Sequence, residues 1–430
     1  MEHVIGLRCV ICGQLYQPDE VRYVCPRHGS EGILDVEYNY GVIRQRLQQQ
    51  LPLAAWQQRG MFVYRPFLPL ADDTPEPPLL IGATPLYAAP RLAAACGVAQ
   101  LWVKDDGRNP TASLKDRASA LAVMKAHEAG AEIITTASTG NAAAALAGCA
   151  ASVEQKTVIF VPAAAPPAKI AQLLAYGATV LLVEGSYDEA FDLCLEATAA
   201  FGWYCRNTAY NPYMAEGKKT VVYELYDQLD ARDWRLETGL VSSLQSPITH
   251  IVVSVGDGCI LSGVYKGLRD LAGIGRLSQM PKVIGVQAAG SAFLYEAWLQ
   301  DEDVLTKRPI PTHTIADSIS AGLPRDRVKA IKAVRESNGA FIKVTDEEIL
   351  AAIPALAQGC GVFAEPAAAA AYAGLQKASQ EGFIEAEARV ALLITGNGLK
   401  DVGAAMKATG QAITIQPKLS FVRQAIASMT

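Results

Sequence analysis

Cysteine and histidine are scarce in this chain, at nine and five among 430 residues. Nine thiols over that length are too few for a disulfide framework, and an odd number cannot all pair, so a reducing cytoplasm is the expected setting. The opening MEHVIGLRCV lacks the basic start and apolar core of a secretory signal. Charge of one sign is missing as well. Lys plus Arg number 38 against 43 Asp plus Glu, a net of −5 with no basic run, which argues against nucleic acid as a partner and for a small molecule. The longest uncharged stretch, residues 133–153, has the length to span a bilayer, but Thr135, Thr136, Ser138, Thr139, Gly140 and Asn141 cluster inside it. It reads as strand, polar loop and helix, and no membrane partner is expected. Hydrolytic signatures are absent too: the histidines at 3, 28, 127, 250 and 313 are scattered, and there is neither a His-Glu-x-x-His helix nor a Gly-x-Ser-x-Gly elbow. His127, His250 and His313 read as structural.

What is present is a compact composition, with 50% hydrophobic and 19% charged residues, long enough for two or three domains. From Leu101 onward, β-branched runs (LWVK, EIITTA, TVIFVP, TVLLVEG, WYCRN) alternate with helical stretches such as ASALAVMKAHEAG and YDEAFDLCLEATAAFG. The rhythm resumes with THIVVSV, LSGVYKGLRDLAG and KVIGVQA, and ends with DEEILAAIPALAQGCG and VALLITG. Such alternation implies parallel β-α-β units, hence an α/β fold of two doubly wound layers with a cleft between them. The acidic, proline-rich ADDTPEPP at residues 71–78 marks a boundary or an arm crossing the surface.

In doubly wound folds, ligands sit beyond the carboxyl ends of the strands, which draws attention to four loops. Asn109-Pro-Thr-Ala-Ser-Leu-Lys115-Asp-Arg117 leads into a helix and places an ammonium where it opposes the helix dipole by about 0.3–1 kcal/mol, a conflict that a Schiff base would relieve in part. Ser138-Thr139-Gly140-Asn141 offers more hydroxyls and amides at a helix start than one cap requires, a grouping suited to a carboxylate or phosphate. Val255-Gly256-Asp257-Gly258-Cys259-Ile260 follows an apolar strand and precedes a helix, so its backbone amides can close on a phosphate. The third glycine of a dinucleotide fingerprint is replaced by Leu261, which leaves a nicotinamide-dependent dehydrogenase as the runner-up. Ile394-Thr395-Gly396-Asn397-Gly398-Leu399-Lys400-Asp401 is, taken alone, an ordinary strand-to-turn sequence.

In this order the loops resemble the pyridoxal-phosphate enzymes of the tryptophan synthase β fold, fold type II, and among them most of all the threonine synthase family. Gly82-Ala-Thr-Pro-Leu86, Asn211-Pro212 and Glu216-Gly-Lys-Lys-Thr220 add to the likeness, which runs from about Gly82 to Asp401. The resemblance implies that Lys115 forms the Schiff base with pyridoxal 5'-phosphate and then acts as the base at the substrate α-carbon. It implies that Asn141 meets the ring hydroxyl, Thr395 the ring nitrogen, and the amides of Gly256, Asp257, Gly258, Cys259 and Ile260 the cofactor phosphate. Ser138, Thr139 and Asn141 would bind the carboxylate of a small, phosphorylated amino acid, and the protein would be a homodimer. The implied reaction converts O-phosphohomoserine and water to threonine and phosphate. The alternatives are β-replacement on O-phosphoserine, as in cysteate synthase, dehydration of threonine or serine, and a binding protein without turnover.

Four positions depart from the family's pattern. Ala112 and Leu114 stand where glycine and phenylalanine are usual, Ala142 where threonine is common, and Met214 where threonine synthases have a phosphate-binding arginine. Methionine cannot supply the bidentate bonds of a guanidinium; Arg108 and Lys218 are the candidate replacements.

The first forty residues stand apart. Cys9-x-x-Cys12, then after twelve residues Cys25-x-x-His28, gives two ligand pairs on short turns, as expected for one tetrahedral, structural zinc in a ribbon-like knob. The expected organisation is therefore a zinc-ribbon-like segment over 1–40, a large cofactor-binding domain over 41–117 and 206–430, and a small α/β domain over 118–205.

Overall fold

The computed structural model describes residues 1–48, 56–138, 140–165, 167–229 and 247–427. Three strands open the chain, β1 (Val4–Cys9), β2 (Leu15–Tyr16) and β3 (Leu34–Tyr38), and form an antiparallel sheet in the order β2-β1-β3. The next two strands are β4 (Leu86–Ala88) and β5 (Gln100–Asp105). A four-stranded parallel sheet follows, from β6 (Ile133–Ala137), β7 (Lys156–Pro162), β8 (Thr179–Val183) and β9 (Tyr204–Cys205), in the order β8-β7-β6-β9. The last four are β10 (His250–Ser254), β11 (Lys282–Ala288), β12 (Ala340–Val344) and β13 (Arg389–Ile394). With β4 and β5 they build a six-stranded sheet, β12-β11-β10-β13-β5-β4, parallel except for the edge strand β4.

The long apolar runs follow from burial on both faces of this sheet. Ile251 and Val253 of β10 enter one hydrophobic core while Val252 enters the other, and Ala391 and Leu393 of β13 alternate with Val390 and Leu392 in the same way. One face is covered by the helix Pro366–Gln380, in which Ala367 to Ala371 are all buried. Small residues let that helix lie close to the strands: a Cβ on Gly374 would stand 2.2 Å from a methyl of Val286. The opposite face is covered by helices that include Lys115–Glu128 and Cys259–Gly273. Leu7, Val36 and Tyr38 of the N-terminal sheet belong to that same core, alongside Met214, Val264 and Leu268.

Chain direction fixes where a ligand can enter. From β10 the chain runs outward to β11 and β12, whereas β13 and β5 lie on its other side, so strand order reverses between β10 and β13. A crevice opens at such a switch point, beyond the strands' carboxyl ends. The loops after β10 and β13 meet there. No described helix is long and apolar enough to cross a membrane.

Candidate active site

Lys115 is the first residue of its helix, and nearly every other polar residue of its motif serves to hold it there. Asn109 accepts the Gly82 amide (2.9 Å) and donates to the Asp106 carbonyl (2.9 Å). Asp116 accepts the Thr111 amide at 2.7 Å and also accepts a hydrogen bond from the Thr111 hydroxyl. Arg117, fully buried, pairs with Asp106 (2.6 Å) and Glu224 (2.7 Å), and Glu224 pairs in turn with Lys104 (2.9 Å). The loop is pinned from the other side as well: the Leu114 amide donates to the Thr395 carbonyl (2.9 Å), and Ser113 forms a β-bridge with Gly396. Ala112 takes a left-handed φ of 65°, which accounts for the glycine expected at this position. Burial, reinforced by the charges of Lys218 and Arg206, lowers the Lys115 ammonium to a pKa of about 7.

Asn141 opens the helix Asn141–Ala151, and its Nδ2 donates to Glu365 Oε1 at 2.6 Å. Burial raises the Glu365 carboxyl to a pKa of about 7, against the opposing pull of that hydrogen bond. Glu365 also explains Gly396, where a Cβ would stand 2.0 Å from the carboxylate. Ser138 Oγ accepts the Gly140 amide (3.2 Å) and so serves the local turn. Thr139 lies outside the described residues.

The loop after β10 passes close under the chain near Ile319: a Cβ on Gly256 would stand 2.8 Å from that residue's Cα. Gly258 caps the helix Cys259–Gly273 at φ 92°, a conformation suited to glycine. The first amides of this helix, at Cys259 and Ile260, have no intrahelical acceptor. The Asp257 carboxylate turns aside to accept the Arg325 amide (3.2 Å). These pieces line one cavity, which brings together Lys115, Asn141, residues 256–260 and Thr395, with Glu365 on its wall. A second cavity shares Asn141 and Glu365 with the first and extends the cleft toward Lys169, Asp317 and Lys400. The Lys169–Asp317 ion pair (2.6 Å) bridges its two sides. A lysine amine with a depressed pKa, helix-end amides free for a phosphate, and an amide and a hydroxyl facing one space fit pyridoxal phosphate.

Comparison with known proteins agrees with this geometry. Residues 78–396 match the family model "Pyridoxal-phosphate dependent enzyme". The threonine synthase of Methanocaldococcus jannaschii is 34% identical over 420 residues, covering 97% of this chain and 98% of its own. That of Methanosarcina acetivorans is 36% identical over 426 residues, with 98% of each chain covered. The chain belongs to the threonine synthase family of pyridoxal-phosphate-dependent enzymes. Solved structures confirm the fold. Diaminopropionate ammonia lyase from Escherichia coli superposes with a TM-score of 0.62 at 17% identity, covering 90% of this chain and 94% of that one. Threonine deaminase isoform 2 from Solanum lycopersicum gives 0.61 at 21% identity over 76% and 88%.

In this member of the threonine synthase family, Met214 is fully buried in the core and lines neither cavity. Ala142 follows Asn141 in the first helical turn. Arg108, the last residue of the short helix Asp106–Arg108, lines neither cavity, whereas Lys218 lines the first. Sequence reasoning passed over two residues: Glu365, which lines both cavities and whose acidic character is inconspicuous before a run of alanines, and Arg206, just after β9, which lines neither but whose charge acts on Lys115. At the far end of the chain, one donor atom each from Cys9, Cys12, Cys25 and His28 lie within 4.8 Å of one another. The Cys12–Cys25 sulfur separation is 4.0 Å, near the ~3.8 Å edge of a tetrahedron with zinc–sulfur bonds of ~2.3 Å.

Proposed function

We propose that the protein is a threonine synthase that converts O-phosphohomoserine and water to threonine and phosphate. The observation that carries this reading is the single cavity in which Lys115, Asn141, Thr395 and the 256–260 loop meet. When bound, pyridoxal phosphate supplies an electron sink for the carbanions that phosphate elimination and water addition require. Lys115 would hold the cofactor covalently and would serve as the base that moves protons at the substrate carbons; in the protein alone, burial already lowers its ammonium to a pKa of about 7, which favours the neutral amine such a base needs. Asn141, fixed by Glu365, would orient the ring through its hydroxyl. Thr395 would meet the ring nitrogen with a neutral hydroxyl, a pairing that would favour elimination and replacement over transamination. Ser138, Thr139 and Asn141 hold the substrate carboxylate. A homodimer in the cytoplasm belongs to the same reading, and sedimentation at twice the 45.8 kDa chain mass tests the oligomer.

O-phosphohomoserine, O-phosphoserine with sulfite, and threonine are to be assayed side by side on the cofactor-loaded protein. Threonine and phosphate are expected from the first. Phosphate release only from O-phosphoserine would replace this reading with β-replacement, and ammonia only from threonine would replace it with dehydration.

For the N-terminal cluster we propose one closed, structural zinc held by Cys9, Cys12, Cys25 and His28. Its support is the donor set and the near-tetrahedral spacing.

A further inference from the structure

Two buried cations beside the cleft have no anion. Lys218 is fully buried, lines the Lys115 cavity, and its ammonium has no hydrogen-bond partner. Arg206, equally buried, donates from Nε to Ser119 (3.1 Å) and from Nη1 to Thr208 (3.2 Å), while Nη2 has no acceptor. Thr208 itself lines the cavity, so the guanidinium stands directly behind its wall. Among the described residues, neither cation has a carboxylate within ion-pair distance. Of the carboxylates nearby, Asp257 accepts the Arg325 amide (3.2 Å) and Glu365 accepts from Asn141 (2.6 Å); buried Asp326 pairs with Lys329 (3.4 Å) and attracts Lys218 only from beyond ion-pair distance. Leaving two charges buried and unpaired is costly, so such a pair implies an anion that arrives with a ligand.

The proposed reaction brings two phosphates into the cleft. The cofactor's phosphate has the amides at the start of the Cys259–Gly273 helix, which need no side-chain cation. The second has no arginine at 214. Lys218 is four residues further along the same helix, Met214–Lys218, so its side chain leaves nearly the same helical face one turn on. We propose that Lys218, with Arg206 acting through Thr208, forms the subsite for the substrate's phosphate in place of the arginine that Met214 displaces. The inference rests on the reading of the substrate as a phosphorylated amino acid.

The test is calorimetric titration of inorganic phosphate into the cofactor-loaded protein. Wild type should bind, Lys218→Met should bind about tenfold or more weakly, and Lys218→Arg should recover most of the loss. Undiminished binding by Lys218→Met overturns the inference, as does wild type that binds no phosphate. So does loss of the cofactor's absorbance from folded Lys218→Met, because the lysine would then serve the cofactor's phosphate. Should Lys218→Met fail to fold, Thr208→Val decides: weakened phosphate binding supports the subsite, and unchanged binding overturns it. If phosphate binding depends on Lys218 but O-phosphohomoserine is not turned over, the proposed reaction falls and the subsite stands.

Discussion

The Tyr38 hydroxyl donates to Glu216 at 2.6 Å, joining the last strand of the N-terminal sheet to the helix that carries Lys218. A second tie runs parallel to it: the Cys205 amide donates to the Tyr23 hydroxyl at 2.8 Å, one residue before Arg206. Lys266 adds a salt bridge to Asp35 (2.8 Å). The N-terminal segment, through β3 and the loop that carries Tyr23, therefore braces both elements on which the two unpaired cations stand.

Elemental analysis of protein purified without chelator should find close to one zinc per chain, and Cys9→Ser with Cys12→Ser should abolish it. Zinc-free protein that keeps its cofactor should show a higher KM for the phosphorylated substrate with a smaller change in kcat, because the brace on Glu216 and Cys205 loosens. Wild type without metal sinks the zinc reading. An unchanged KM in zinc-free, folded protein sinks the mechanical link.

Lys115→Ala should yield colourless protein and lower turnover by about 10³-fold or more. In the wild-type apoprotein, the rate of cofactor capture should rise with pH through about 7, the pKa to which burial lowers the lysine, because only the neutral amine attacks an aldehyde. One pH unit below that value the rate should be about tenfold below its high-pH plateau. Stopped-flow absorbance reads it, and a midpoint near the ordinary lysine value would contradict the depressed ammonium.

Glu365 is an acid raised in the fold to about 7 from an ordinary 4.5, so the folded apoprotein binds the proton more tightly than the unfolded chain does. Its stabilisation is complete below pH 4.5 and is lost as pH rises through 7. Glu365→Gln, which can still accept the Asn141 hydrogen bond, should melt above wild type at pH 8. The stability difference, about 3 kcal/mol at most, should shrink toward pH 5. Parallel melting at both pH values would show that Glu365 is not buried as an acid.

Ala112→Gly should stabilise the fold by up to about 1 kcal/mol, the left-handed cost of a Cβ less the added freedom of the unfolded glycine. Urea midpoints measure it. Destabilisation would mean that the loop is not held at φ 65°.

The strand–helix alternation was legible because β7, β10, β11 and β13 are apolar on both faces and β5, β6 and β8 are short apolar or β-branched runs, all standing between helices. The strand β12 and the helix Pro366–Gln380 were not read: AFIKV is interrupted by a lysine, and a run of alanines carries no periodicity. In the site, Lys115 and Asn141 were legible as polar residues at helix starts. Glu365 and Arg206 were not, because their importance comes from burial beside partners distant in sequence, 224 residues away for Glu365 and Asn141. Gly82-Ala-Thr-Pro-Leu86 was legible as a motif but not in its purpose: the Ala83 amide binds Glu224 (3.0 Å) and Thr84 binds Asp106 (2.6 Å), tying it to the ion cluster around Arg117.

That cluster changes what the motif around Lys115 signifies. Arg117, Asp106, Glu224 and Lys104 neutralise one another out of contact with solvent, so removing any one strands a charge at a cost of about 3–5 kcal/mol. A sister chain that had given up chemistry would still be obliged to keep Arg117 to fold, and Asn109 and Asp116 would still fix the loop by their hydrogen bonds. The nine-residue signature is thus a certificate of architecture; on the proposed function, a single letter within it, the lysine, would separate a working enzyme from a silent descendant.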